Sequence, residues 1–315
     1  MTQARKWMAI DFGGPEVLRM IDVDVPDPGP GEVRIEVRAA GMNPADAKHI
    51  APGQDPGLLP LSIGFEVAGV VSRLGPDTHL ASGRGAVGDS VVASTVNGGY
   101  ATAMTVPTSS VFAMPRSLNF PEAANLLLVG TTAADLLHAS AARPGESVLL
   151  HGATGAVGVS VLQQARRLGV RVVGTASPGN FDFVRRFGAT PVGYGPGLLD
   201  RVRDAAPEGI AAALDTVGSE EAGDVSLALV ADRERIVTIV AAPRAKAEGY
   251  VFVGAANARS GPFRAQARAR ILKLAQNGDL VVPMAQTFGF TDAPAALAAL
   301  TRPHTPGKLA LVIEG

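Results

Sequence analysis

Hydrophobic and polar positions along the 315-residue chain follow two different rhythms. From Trp7 to about Phe120 the runs are short and β-like: Val33-Arg34-Ile35-Glu36-Val37-Arg38 alternates apolar with charged residues, and Val67-Ala68-Gly69-Val70-Val71 is continuously small or apolar. A period of two puts successive side chains on opposite faces of a strand, so the alternating run has one buried face. Pro26, Pro28, Gly29, Pro30 and Gly31 punctuate the first pair of runs, and Gly83, Gly85 and Gly88 a later one. This part reads as a β-rich, barrel-like domain.

Near Pro121 the rhythm changes. Runs suited to strands buried on both faces, Ser147–His151, Val170–Thr175, Ile210–Asp215 and Ile236–Val240, alternate with helical segments. That alternation predicts βαβ units and a doubly wound parallel sheet. Val157, Val161, Ala165 and Leu168 recur at helical spacing and form one stripe. After Asn257 a longer helix is expected, with Ile271, Leu274 and Ala275 on one face and Asn277-Gly278 as its end. Lys308–Ile313 closes the pattern as a strand.

Composition narrows the function more than the fold. An apolar share of 47%, a charged share of 18% and a net charge of −1 describe a globular chain with no electrostatic footprint for nucleic acid or an anionic membrane. With no cysteine, disulfides, thiolate metal sites and a cysteine nucleophile are all excluded. The first ten residues run straight into strand-like sequence without a secretory pattern, and no stretch approaches the ~18 apolar residues of a membrane span. The expectation is a cytoplasmic protein acting on a small molecule.

The sharpest local signal is Val148-Leu149-Leu150-His151-Gly152-Ala153-Thr154-Gly155-Ala156-Val157-Gly158, a buried strand, a glycine-spaced turn and a helix start. A pyrophosphate binds where free backbone N–H groups meet the positive end of a helix. Small residues at Gly152, Gly155 and Gly158 let the backbone approach phosphate and let helix pack on strand. The spacing is GxxGxxG, not the commoner GxGxxG, but a second strand at Val170 follows in the right order. NAD-selective sites place an acid at the end of that second strand. Here Thr175-Ala176-Ser177-Pro178-Gly179-Asn180 contains none, and with Arg185 and Arg186 following, the turn favours NADP(H).

At this point the chain resembles the medium-chain dehydrogenase/reductase superfamily, in its zinc-independent quinone oxidoreductase (zeta-crystallin-like) branch. The resemblance rests on Gly41-Met42-Asn43-Pro44-Ala45-Asp46, Gly64-Phe65-Glu66-Val67-Ala68-Gly69, Val87-Gly88-Asp89-Ser90-Val91, Gly99-Tyr100-Ala101, Gly152–Gly158, Phe187-Gly188-Ala189, Leu214-Asp215-Thr216-Val217-Gly218 and Gly307-Lys308-Leu309, in the family's order. It implies an α/β protein with a GroES-like catalytic domain over residues 1–124 and 256–315 and a Rossmann-like NADP(H)-binding domain over residues 125–255. Zinc-dependent relatives carry a cysteine near the position of Asn43 and a histidine near that of Phe65; an amide and a phenyl ring cannot replace them, so no metal is expected. The five histidines are scattered without ligand spacing.

Roles for single residues follow from the resemblance. Asn43 and Thr131 correspond to positions at the nicotinamide, and Gly152, Thr154, Gly155, Ala156, Val157 and Gly158 to the pyrophosphate turn. Ser177 and Tyr194 fall where relatives contact the adenosine 2′-phosphate, Thr175 and Asn180 stand in the acid-free turn as further cofactor-binding candidates, and Val217 and Val240 end strands bordering the cofactor. Many quinone reductases have a tyrosine where Lys48 stands, so Lys48 enters as a candidate proton donor beside water. The implied reaction is hydride transfer from NADPH to a quinone or an activated alkene (enone). An enoyl-thioester reductase and a non-catalytic NADPH-binding protein remain the alternatives. A homodimer is expected through an edge strand in the apolar run Ala247–Gly254, because an uncovered edge invites aggregation.

Overall fold

A computed structural model of the chain describes residues 1–254, 257–302 and 305–314. His304 and the expected domain boundary between 255 and 256 lie outside the described residues. The chain divides into two units, Met1–Leu128 with Ala275–Gly315, and Val129–Leu274.

The first unit is built on β1 (Thr2–Ala9), β2 (Leu18–Val25), β3 (Glu32–Gly41), the short helix α1 (Pro44–His49), β4 (Leu61–Ser62), β5 (Glu66–Leu74), β6 (Ser90–Ser94), β7 (Ala103–Pro107), β8 (Val111–Ala113) and α2 (Phe120–Ala123). The period-two run lies in β3, where Val33, Ile35 and Val37 are buried while Glu36 is exposed. Irregularities in the β3–β5 register, between Arg34 and Ile35 and between Val37 and Ala39, add local twist and curvature to the sheet.

The second unit opens with α3 (Leu127–Ala139), whose first two residues fall in unit one, and continues through β9 (Ser147–His151), α4 (Ala156–Arg167), β10 (Arg171–Ala176), α5 (Phe181–Arg186), β11 (Thr190–Gly193), α6 (Leu198–Ala205), β12 (Ala212–Asp215), α7 (Glu220–Leu229), β13 (Ile236–Thr238), α8 (Ala242–Glu248) and β14 (Val251–Phe252). All five strand pairs are parallel, in the order β11-β10-β9-β12-β13-β14, which is the 3-2-1-4-5-6 order of a doubly wound nucleotide-binding sheet. Both faces are covered: Val148 and Leu150 of β9 pack with Val161, Ala165 and Leu214 on one side, while Leu149 packs with Val173, Val202 and Ala213 on the other. This explains why these strands read as unbroken apolar runs.

The helix expected after Asn257 is α9 (Ser260–Gln276), and the division between units crosses it between Leu274 and Ala275. Then β15 (Met284–Gly289), α10 (Ala293–Leu300) and β16 (Lys308–Val312) return to the first unit, where β16 pairs with β3 through Ala310↔Gly41 and Val312↔Ala39. The run Ala247–Gly254 is shorter as a strand than its composition suggests. Ala247 and Glu248 finish α8, Gly249 stops that helix at φ 76°, and only Val251 and Phe252 pair with β13, at the end of the sheet.

Helix α4 can lie on β9 only because Gly158 has no side chain: a Cβ there would stand 2.1 Å from the carbonyl oxygen of Gly152. At Gly155 a Cβ would meet only that oxygen, at 3.4 Å, and φ is −68°, so a side chain fits. Gly158→Ala is therefore expected to lose about 2 kcal/mol or more and several degrees of melting temperature, with Gly155→Ala near neutral. Thermal melts of the two variants without ligand check the contrast.

Candidate active site

In the first unit, five polar side chains meet out of water. Asn43, 2% exposed, precedes α1; its amide Nδ2 donates to Glu66 Oε1 at 3.0 Å, and its Oδ1 accepts from Lys308 Nζ at 2.5 Å. Lys308 Nζ also donates to the Met42 carbonyl at 2.6 Å. Glu66 Oε2 accepts from the backbone N–H of Leu128 at 3.0 Å, so each of its oxygens has a donor. Asp46 Oδ2 accepts from the Asn43 backbone N–H (2.7 Å) and from the hydroxyl of the fully buried Tyr100 (3.0 Å), while Oδ1 is buried without a partner. The positive φ of Gly64 makes room for Tyr100, since a Cβ there would meet the ring at 2.5 Å.

Burial dominates the electrostatics of this cluster. It pushes the Glu66 carboxyl up, against the Lys308 charge and the two N–H donors that favour the carboxylate. It pulls the Lys308 amine down, against the two carboxyl groups. Asp46 is pushed up to about 7, because burial outweighs the Asn43 and Tyr100 hydrogen bonds and the field of Lys308. One amine therefore faces two buried acids, and burial raises both, Asp46 to about 7.

In the second unit, the glycine turn stands where the sheet order reverses, between β9 and β12. Gly152 adopts φ 83°, and a Cβ there would lie 2.4 Å from Thr216 Oγ1. Its N–H donates to the Thr175 hydroxyl at 3.0 Å, and Ala153 N–H to the Thr175 carbonyl at 3.1 Å, so Thr175 pins the turn to β10. The N–H groups of Ala156, Val157 and Gly158 open α4 with no acceptor among the described residues. Asp215 braces the turns after β12 and β13: Oδ1 accepts from the N–H groups of Val217 and Gly218, both at 2.9 Å, and Oδ2 from the Thr238 hydroxyl, which itself accepts from Val240 N–H.

At the end of β10, Asn180 Nδ2 donates to the Ser177 hydroxyl at 3.0 Å. The nearby Asp182 carboxylate is taken by Arg185 at 2.7 Å, and that guanidinium lies over Phe181. Tyr194 is 62% exposed, on a loop whose carbonyls at Gly193, Gly195 and Pro196 all accept from Arg201. Val217 is 54% exposed and Val240 half-buried. His151 is held neutral, its pKa lowered to about 4 by burial, and its Nε2 bonds the Ser226 hydroxyl.

Of the residues singled out in the sequence, Asn43 and Lys48 belong to the first unit and Thr131, Gly152, Thr154, Gly155, Ala156, Val157, Gly158, Thr175, Ser177, Asn180, Tyr194, Val217 and Val240 to the second. Lys48 is exposed at the end of α1. Thr131 is buried in α3. Asp46, Glu66, Tyr100, Lys308 and Asp215 were not singled out, although each stands inside a motif that carried the family resemblance.

Residues 29–116 match the family model described as alcohol dehydrogenase GroES-like domain, and residues 188–311 that described as zinc-binding dehydrogenase. Over 170 residues the chain is 40% identical to a quinone oxidoreductase of Sus scrofa, a match covering 52% of this chain and 50% of that protein, so the chain spans half the length of the curated relatives it matches. A mycobacterial quinone oxidoreductase of known structure is 30% identical, with 98% of this chain and 99% of the other covered and a TM-score of 0.79. The Escherichia coli quinone oxidoreductase solved with NADPH is 25% identical over 98% of this chain and 99% of its own, with a TM-score of 0.84.

The residues present do not fit zinc. The amide of Asn43 is held by an ammonium and a carboxylate, Phe65 packs edge-on against the His49 ring, and among the described residues no three histidine or acidic side chains group closely enough to hold a metal. They do fit a dinucleotide: the N–H groups opening α4 are unpaired, and Gly155 leaves its side of the turn open. Among the described residues no helix is long and apolar enough to cross a membrane.

Asp46 makes a pH test possible. Its folded pKa of about 7 lies above the ordinary ~3.9, so between these values the folded chain holds a proton that the unfolded chain has lost. Stability then falls as pH rises through that window and is level above it. Asn keeps the neutral shape at every pH. The melting-temperature advantage of Asp46→Asn over the parent protein is expected to grow from about pH 4 to about pH 7 and then stop growing, as followed by calorimetry across that range.

Proposed function

The chain belongs to the quinone oxidoreductase family of medium-chain dehydrogenases/reductases, and from that premise we propose that it is a zinc-independent enzyme using NADPH to reduce a quinone or an activated alkene. The observation that carries the cofactor is the turn at the sheet's switch point, where unpaired N–H groups of α4 stand beside a second-strand turn free of carboxylate. NADPH, when bound, supplies the hydride, and the protein supplies position and dryness.

In this reading Ala156, Val157 and Gly158 hold the pyrophosphate through their backbone, with Thr154 and Gly155 lining the turn and Gly152 and Thr175 fixing its shape. Ser177, Asn180 and Tyr194 receive the 2′-phosphate. The amide of Asn180 already orients the Ser177 hydroxyl, and the one acid close by is occupied by Arg185. Val217 and Val240 offer apolar surface to the cofactor, each at a turn whose N–H groups Asp215 or Thr238 has taken. Asn43 and Thr131 attend the nicotinamide, and the proton for alkene reduction comes from Lys48 or water. The enzyme acts in the cytoplasm as a homodimer whose edge strand is β14; light scattering at micromolar concentration should return twice the chain's mass.

Titration of NADPH and NADH against the protein's fluorescence should give the tighter affinity for NADPH, and equal affinities would sink the assignment. Ser177→Asp should weaken NADPH alone, since a carboxylate there repels the 2′-phosphate. Gly155→Val tests the turn, because without ligand a Cβ at that position meets only the Gly152 carbonyl oxygen, at 3.4 Å. This variant is expected to melt near the parent temperature but to lose the upward shift that NADPH gives by binding the native state. Steady-state NADPH oxidation with quinones, enones and an enoyl thioester then assigns the acceptor; tight binding with no turnover would mark a non-catalytic protein.

A further inference from the structure

A primary carboxamide has two ends of nearly equal size, one with two donor hydrogens and one with two acceptor lone pairs, so shape alone does not fix which way it points. At Asn43 charge does. Lys308 donates to Oδ1, and Glu66 accepts from Nδ2. Glu66 is an acceptor on both oxygens, the second taking the Leu128 N–H, and Lys308 is a donor on both its contacts, the second to the Met42 carbonyl. Turned over, the amide would set oxygen against carboxylate and N–H against the amine that must itself donate, and both bonds would go. Lys308 and Glu66 are themselves fixed, one on β16 and the other at the start of β5.

This leaves Asn43 with one unused amide hydrogen, for which no partner exists among the described residues. We infer that Lys308 and Glu66 are positioning residues that hold Asn43 as a hydrogen-bond donor, and that the group Asn43 recognises is an acceptor oxygen. The inference rests on the proposed oxidoreductase function, which offers two such oxygens, the carbonyl of the nicotinamide carboxamide and that of the quinone or enone. A rotatable amide would bind donor and acceptor groups alike; a clamped one rejects donors.

Lys308→Met, Glu66→Gln and the double variant test the clamp. Each single change unbalances the buried charges and should lower the melting temperature, whereas the double change removes both members of the pair and should melt above at least one single variant. A purely structural pair would then restore function with stability. A positioning pair would not: the double variant should still raise the dissociation constant for NADPH, or the KM for quinone at saturating NADPH, about tenfold or more. A rise in the first assigns the oxygen to the cofactor, and a rise in the second alone assigns it to the substrate. Parent values within about twofold in the double variant would overturn the inference.

A measurement on the unaltered protein covers the case in which the variants do not fold. In ¹⁵N–¹H spectra the Asn43 side-chain amide, assigned by its loss in Asn43→Asp, should show one proton protected from exchange and indifferent to ligand, and a second that moves when NADPH or quinone is added. Two protons that both ignore either ligand would refute the donor role. Absence of NADPH oxidation by the parent protein would instead count against the proposed function, while exchange protection of the first proton would still report the clamp.

Discussion

The amine of Lys308 lies out of water with the Met42 carbonyl and the Asn43 amide oxygen as its acceptors and the carboxyl groups of Glu66 and Asp46 in its field. Much of the first unit can be understood as the set of conditions that make such a burial tolerable. A charge removed from water must be paired and hydrogen-bonded or it becomes a liability. Pairing β16 with β3 brings the lysine to the start of α1, and β5 presents Glu66 from the neighbouring strand. The Tyr100 hydroxyl and the Asn43 backbone N–H then absorb part of the second acid, whose remaining oxygen goes without a partner. Burial, far more than the field of the second acid, is what pushes Asp46 up to about 7.

The second unit obeys a steric constraint instead. Gly152 bends with positive φ against Thr216, and Gly158 lets α4 approach the same carbonyl that turns the chain. Between them Gly155 is unconstrained, so the three glycines of one motif do different things: two build the turn and the third leaves space beside it. Thr175, expected to face the cofactor, serves to anchor Gly152, and Asp215 and Thr238 do the same for the turns bearing Val217 and Val240. Polar side chains from the strands thus consume some backbone N–H groups and leave those of α4 unused.

This division explains what was legible in the sequence. Strands β9 and β10, the turn and α4 follow from periodicity and glycine spacing, which are local, and β3 from its alternation. The run Ala247–Gly254 misleads because apolar composition cannot distinguish a strand from the end of a helix; Gly249 at φ 76° was the signal that a helix stops there. Glu66, Asp46, Tyr100 and Lys308 were visible only as members of motifs. Their meeting depends on strand pairings between segments far apart in the chain, for which no short-range pattern exists.

The origin of Lys308 in β16 also has a consequence in time. Asn43, Asp46 and Glu66 leave the ribosome about 240 to 265 residues before it, which at about 5–20 residues per second is a delay on the order of 10–50 seconds. The second unit, contiguous from Val129 to Leu274, is synthesised entirely within that interval and has all its sheet partners when it emerges. The first unit does not, because β16, which pairs with β3 and carries Lys308 to the two acids, is made last. The earlier-made half of the protein is therefore the later to gain all its strand partners.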